Sequence, residues 1–279
     1  HPDYASSLNN LANLYDHMDQ YEKAEPIYLE AIAIHEKALG KGHPLYAMSL
    51  NDLANLYYNM GQYEKAEPLY LESKAIKEKA LGKEHPDYPA SLYNLAILYK
   101  DMGQYEKAEP LYIELSSVNK LLIERAMHHL SEKELNAYMK QFSQSLGQTF
   151  SITQNVHSKE MISVCYDNIL FYKGFLLQVA GQLKRIALAN PATAENFNLL
   201  KSYERRLAAH YASPIAERDS ANVAELETKA NDLEKDLVRT VAVFGEATRQ
   251  ATWQEVQQKL RAGEAAAEFV QYRFARKKQ

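Results

Sequence analysis

The sequence predicts an all-α protein. A superhelical solenoid of stacked helix pairs comes first, then a helical linker domain with a long antiparallel helical hairpin, then one short C-terminal strand. Three observations predict this. First, His1-Pro2-Asp3-Tyr4 returns as His43-Pro44-Leu45-Tyr46 and as His85-Pro86-Asp87-Tyr88, a period of 42 residues both times (43 − 1 and 85 − 43). A fixed period of this size marks an array of like supersecondary units. Second, the apolar residues inside each copy recur at helical spacing. Third, Val223, Leu226, Ala230, Leu233, Leu237 and Phe244 step by 3, 4, 3, 4 and 7, which is a coiled-coil seam.

Within a copy, the first helix runs from about Tyr4 to Met18. Leu8, Leu11, Ala12 and Tyr15 fall at i, i+3, i+4 and i+7 and so share a face. Met60-Gly61-Gln62 and Met102-Gly103-Gln104 make the turn, with Asp19 in the glycine position of copy one. Glycine there suits the left-handed residue that ends a helix. A second helix starts near Tyr21 and is expected to pack Ala24, Tyr28 and Ile32. The small side chain at Ala24, Ala66 and Ala108 lets the two helices approach closely. Gly40 and Gly82 stop the second helix, and His-Pro bars its continuation. One pair cannot bury its apolar face alone, so neighbours must stack.

These residues resemble the tetratricopeptide repeat (TPR), in the long form found in kinesin light chains and many bacterial proteins. The usual TPR period is about 34 residues; the excess here fits a longer second helix and loop. The resemblance implies a groove lined by the first helices, with a protein or peptide ligand as its partner. By register its inward positions are Asn9, Asn13, Asn51 and Asn55, then Tyr93 and Ile97. An asparagine amide both donates and accepts, so a row of them can hold a peptide backbone or link repeat to repeat. TPRs that clamp a terminal carboxylate need Lys and Arg in the groove. Asn9, Ala90 and Asn94 stand in the matching places, so that mode is not expected.

After Leu115 the repeat fades. Ser131-Glu132-Lys133-Glu134 is a capping box that opens a new helix. Residues 146–156 are left open, because they are polar and contain Gly147. Ser158 to Asn190 reads as one long helix ended by Asn190-Pro191. A helix over Asn196 to Tyr211 follows, and Asp219 or Ser220 caps the seam helix. Thr252 to Glu255 is a second capping box. Ala267 to Phe274 alternates in polarity and reads as a strand. The expected domains are 1–129 for the repeats (1–42, 43–84 and 85–129), 130–263 for the helical domain with its hairpin at 193–247, and 264–279 for the strand and basic tail.

This order, with Glu268-Phe269-Val270-Gln271-Tyr272-Arg273-Phe274, is similar to the segment that precedes and just enters the CHAT domain of bacterial TPR-CHAT proteins. Those resemble caspases and separases and cut proteins with a Cys-His pair. That pair would lie after Phe274, so no residue here inherits a catalytic role. The chain opens on His1 inside a repeat, and a fragment of a longer, regulated protease is the expectation. The alternative is a scaffold whose seam pairs between chains.

Composition narrows the rest. Residues 1–115 carry 10 Lys, no Arg and 18 Asp plus Glu, a net of −8; the remainder carries 22 basic and 18 acidic residues, +4, and together they give the chain's −4. An acidic array does not suit a phosphate backbone, so no nucleic acid is expected. The single cysteine excludes a disulfide framework and fits a reducing cytosol, hence a cytoplasmic location. The most apolar stretch, 162–181, is broken by Asp167 and Lys173, so no membrane span is expected. Cys165 sits among apolar neighbours and reads as core. Adjacent His128 and His129 point to different helix faces, and His1, His43 and His85 read as ties from loop to helix start. No metal, cofactor or catalytic constellation is expected, and the chain is read as non-enzymatic.

Overall fold

The structure is a computed structural model, and it describes residues 1–156, 158–214, 218–242 and 253–259. All described regular elements are helices: α1 Pro2–His17, α2 Tyr21–Leu39, α3 Pro44–Asn59, α4 Tyr63–Leu81, α5 Tyr88–Asp101, α6 Tyr105–Ala126, α7 Glu132–Lys140, α8 Ser143–Ile152, α9 Lys159–Ala189, α10 Pro191–Ala212, α11 Ser220–Ala242 and α12 Trp253–Lys259. The strand expected at 267–274, the basic tail, Phe244 and Thr252 lie outside the described residues. The helices form two compact units, one of residues 1–119 and 145–162, the other of 120–144 and 163 onward.

The first unit is the repeat array. Each pair begins with a histidine acting as acceptor. Nδ1 of His1, His43 and His85 accepts from the backbone N–H of Asp3, Leu45 and Asp87, at 3.3, 3.1 and 3.2 Å. Proline in the first turn has no N–H to leave unmet. Each first helix closes with a long-range backbone bond typical of a left-handed stop: Gln20 N–H to the Tyr15 carbonyl, Gln62 to Tyr57 and Gln104 to Tyr99, at 2.9, 2.8 and 2.8 Å. Gly61 and Gly103 sit at φ +72° and +73°, and Asp19 adopts +56° in the same place.

Each helix of a pair buries an alanine completely. Ala12, Ala54 and Ala96 of the first helices are fully buried, as are Ala24, Ala66 and Ala108 of the second. The second-helix face differs from expectation at one point. Ala31 and His35 are buried with Ala24 and Tyr28, whereas Ile32 is only partly so. The stripe runs at steps of 4, 3 and 4, and Ile32 lies about 100° off Ala31. Segment 145–162 packs on the third pair: Lys100 Nζ donates to Gln148 (2.6 Å), Asn119 to Ser145 (3.1 Å), and the Ser158 hydroxyl to Glu109. The stretch left open by sequence is therefore mostly the helix α8, with Thr149, Phe150 and Ile152 buried.

In the second unit, Ile123, Met127, Leu135, Met139, Phe171 and Phe175 form one core, and Leu183, Ala187, Phe197, Leu200, Leu237 and Val238 another. Ala230 and Leu233 pack against the latter. The seam of α11 is thus used inside the chain, against α10 and α9. Pro191 does not simply end a helix. It is the first residue of α10, which starts five residues earlier than the sequence suggests. The capping box is present: the Ser131 hydroxyl accepts from Glu134 N–H, and the Glu134 carboxylate accepts from Ser131 N–H.

Gly61→Ala should destabilise the fold by roughly 1 kcal/mol, since the open space around its Cα leaves only the left-handed strain. Gly147→Ala, inside α8 and equally unobstructed, should stabilise it by roughly 0.5–1 kcal/mol. Urea midpoints of the two variants on opposite sides of wild type are the expected readout.

Candidate functional site

α1 touches α3, and α3 touches α5, so the three first helices form one wall. They meet in a fixed register: a polar residue finds its partner 43 positions on. Asn59 Nδ2 donates to the Asp16 carboxylate (3.1 and 3.2 Å), Asn94 Nδ2 to Asn51 Oδ1 (2.9 Å), and the Tyr58 hydroxyl to Asp101. The extra residue beyond the 42-residue period is the stagger between adjacent helices.

The six expected groove residues occupy this wall, in different states. Asn9 is buried; its Nδ2 donates to Ser49 Oγ (2.6 Å) and its Oδ1 has no partner. Asn13 and Asn55 are half-buried. Oδ1 of Asn13 accepts from the Tyr28 hydroxyl and Oδ1 of Asn55 from that of Tyr70, both at 2.7 Å. Asn94 Nδ2 reaches Asn55 as well, at 3.3 Å. Asn51 Oδ1 is taken by Asn94. Tyr93 and Ile97 are half-buried, and burial pushes the Tyr93 phenol up to about 12.

The Tyr–Asn bonds orient the amides. With Oδ1 occupied by a tyrosine of the same pair, Nδ2 of Asn13 and of Asn55 is left as a donor, and no acceptor is recorded for either among the described residues. The third pair breaks the pattern. Tyr112 stands where Tyr28 and Tyr70 do, but Ile97 replaces the asparagine, and the buried Tyr112 hydroxyl has no partner. Beside this face, burial pushes the Asp52 carboxyl up to about 6, although Asn51 and Lys77 act the other way.

Sequence reasoning missed a second polar cluster. His35 of α2 is fully buried against Ser49 of α3. Pro2 carbonyl can only accept, so His35 Nε2 carries the hydrogen (3.2 Å), and Nδ1 accepts from Ser49 Oγ (2.8 Å). Ser49 in turn accepts from Asn9. In the next pair Lys77 replaces His35, and the buried Ser91 hydroxyl, equivalent to Ser49, has no partner. Only the 42-residue alignment of His35, Lys77 and Asn119 could have flagged this position.

No described residues form a group of three His, Cys, Asp or Glu that could hold a metal ion. Cys165 is buried, and burial pushes its thiol up to about 12, so it stays protonated despite Lys120. No described helix is long and apolar enough to cross a membrane.

Tyr70→Phe should cost about 1 kcal/mol, because it removes the 2.7 Å bond to Asn55 Oδ1 and leaves only the longer one from Asn94, while Tyr112→Phe should be close to neutral. Equal losses in denaturant titrations would remove the distinction drawn between them. Burial holds His35 below its ordinary value; the Pro2 carbonyl opposes this and His43 adds to it. The folded state therefore resists the imidazolium. Stability should be complete above the ordinary value of 6.5 and fall as pH drops from there through the lowered folded value. The melting temperature should decline less between pH 7 and 5 in His35→Gln; a slope as steep as wild type would acquit His35.

Residues 3–79 and 47–118 match the family model described as tetratricopeptide repeat. No curated protein matches the chain. Among solved structures, the TPR-like repeats of a Podosopora anserina protein described as kinesin light chain align over 85% of this chain and 97% of that one, at 23% identity and TM-score 0.42. BtubC (BKLC) from P. vanneervenii aligns over 98% of this chain and 89% of that one, at 17% identity and TM-score 0.48. Neither likeness, at TM-scores below 0.5, bears on function. The match places tetratricopeptide repeats at residues 3–118, a stacked helix-pair architecture whose curvature creates extended concave binding surfaces.

Proposed function

We propose that the wall of α1, α3 and α5 binds an extended segment of a partner protein, with Asn13 and Asn55 as backbone readers. The observation that carries this is the pair of amides one repeat apart, each tied through Oδ1 to a tyrosine and left with Nδ2 to donate. An extended strand offers acceptors along its backbone and needs no fixed side chain to be held. Asn9 and Asn51 support the wall from behind, and Tyr93 and Ile97 supply its apolar end. The acidic balance of residues 1–115 favours a basic partner over nucleic acid.

In this reading partner binding gates a CHAT-type cysteine protease of the parent protein, in the cytoplasm. That step rests on the resemblance of residues 120–274. The chain itself then divides into repeats to 129 and a helical domain beyond. The alternative of a scaffold pairing through the hairpin has less support, since Leu226 and Leu237 of the seam are buried within the chain.

A pull-down with wild type beside Asn13→Ala/Asn55→Ala tests the groove. The double variant should lose the retained partner at least tenfold, about 1.4 kcal/mol. Equal retention would move binding off this wall. Repeated on the protein extended through the proposed protease segment, the same comparison tests gating: proteolysis unaffected by the purified partner would end that half of the reading.

A further inference from the structure

Asn9 holds an acceptor that no described residue meets. The residue is 2% exposed, and its Oδ1 has no partner. The neighbours fix which way the amide points. The Pro2 carbonyl requires the hydrogen on His35 Nε2, so Nδ1 must accept, and the one hydrogen of Ser49 goes to it. Ser49 Oγ can then only accept from Asn9, which sets Nδ2 against Ser49 and leaves Oδ1 on the other branch of the amide. Turning the amide over would place its carbonyl against a hydroxyl with no hydrogen left to give.

The next pair shows what that oxygen is missing. Asn51 stands one repeat on from Asn9, and its Oδ1 accepts from Asn94 Nδ2 at 2.9 Å. The step is 94 − 51 = 43 residues. The same step from Asn9 leads to Asp52, since 52 − 9 = 43. Ser49, against which the Asn9 amide lies, is three residues before the half-buried Asp52 and so on the same side of α3. An ionised carboxylate offers Asn9 Oδ1 nothing but another acceptor. A carboxylic acid carries one O–H donor.

We propose that Asp52 is a proton-operated staple: in its neutral form the carboxyl O–H donates to Asn9 Oδ1 and ties α3 to α1, as the Asn94 amide ties α5 to α3 at any pH. Burial works in the same direction, pushing this carboxyl up to about 6; Asn51 and Lys77 of α4 oppose it, and Asp16 of α1 adds to it. The phenols that share this surrounding, Tyr28 of α2 and Tyr70 of α4, are raised by burial and stay neutral throughout. The staple needs His35 neutral, the form its own burial favours. A folded value above the ordinary 3.8 means that stability is gained as pH falls through about 6 and is complete below 3.8. That is opposite in sign to the contribution of His35. Closing the staple also removes a negative charge from the wall, so acid should weaken the hold on a basic segment; this consequence alone rests on the proposed groove.

The test uses the chain without a partner, so its failure is separable from failure of the groove. The Asp52 carboxyl, followed by carbon-13 NMR, should titrate near 6 rather than at 3.8. Asn9→Leu keeps the size of the side chain and removes the acceptor. Its apolar surface would by itself raise the midpoint, so a midpoint lower by roughly half a pH unit identifies the lost bond. Asp52→Asn supplies a permanent donor. It should raise the melting temperature by roughly 2 °C or more at neutral pH, and the gain should shrink as the solution is acidified. A wild-type midpoint in the ordinary carboxylate range would overturn the proposal, as would one that Asn9→Leu leaves unmoved or raises. So would a lower melting temperature for Asp52→Asn at neutral pH, a result that needs no second variant to fold.

Discussion

Two methyl groups set the distance on which the rest of the array depends. In each pair an alanine of the first helix, Ala12, Ala54 or Ala96, is fully buried, and so is an alanine of the second, Ala24, Ala66 or Ala108. Helix axes approach as closely as the side chains between them allow. Larger residues would hold the helices apart, and a tyrosine four residues past the second alanine would no longer span the gap. As it is, the hydroxyls of Tyr28 and Tyr70 reach Asn13 and Asn55 at 2.7 Å. Each asparagine follows its first-helix alanine by one residue. Packing at the alanines and the aim of the amides are therefore one geometric fact.

Much of this was legible in the residues themselves. The period, the paired helices, the glycine stops and the small residues at Ala24, Ala66 and Ala108 are local or strictly repeated, and the structure places each as the pattern implies. The histidines before each proline are ties from loop to helix start, as their repetition suggested. Less legible was anything set by tertiary contact. Ile32 outranked Ala31 on hydrophobicity, yet the stripe follows angle rather than size. α8 lacks an apolar period; what holds it is burial against the third pair and the bond of Thr149 to the Ser145 carbonyl. Pro191 carries both meanings of a proline near a helix end, and sequence gave no way to choose. The six expected groove residues do lie on the first helices. Their hydrogen bonds were not legible, because the partners sit on other helices, 15 residues away for Asn13 and Asn55, 40 for Asn9 and 43 for Asn51.

The places where the repeats differ leave unmet polar atoms. Ile97 in place of asparagine strands Tyr112, and Lys77 in place of His35 strands Ser91. Such groups are costly when buried, on the order of 1–3 kcal/mol each. An array of identical repeats would avoid them. Divergence at the third pair and at the contact between the second and third pairs has therefore been tolerated against a stability cost. At the first contact, by contrast, His35, Ser49 and the Pro2 carbonyl satisfy one another and Asn9 Nδ2 joins the chain, with Asn9 Oδ1 left unmet.

That asymmetry bears on how the proposed groove would discriminate. An amide that donates to a backbone carbonyl reads no side chain, so Asn13 and Asn55 alone would hold many sequences equally. Selectivity has to come from elsewhere on the wall. Two features are available. One is the third pair, where Ile97 and the Tyr93 ring present apolar surface in place of an amide. The other is Asp52, whose carboxyl burial pushes up to about 6, so that its charge is harder to hold there than on an exposed carboxylate. A basic side chain beside Asp52 would restore that charge by lowering its pKa, and the binding would then strengthen with the local positive charge of the segment. If the proposed groove is used, an extended partner with a basic residue over the second pair and an apolar one over the third is the sequence it would prefer.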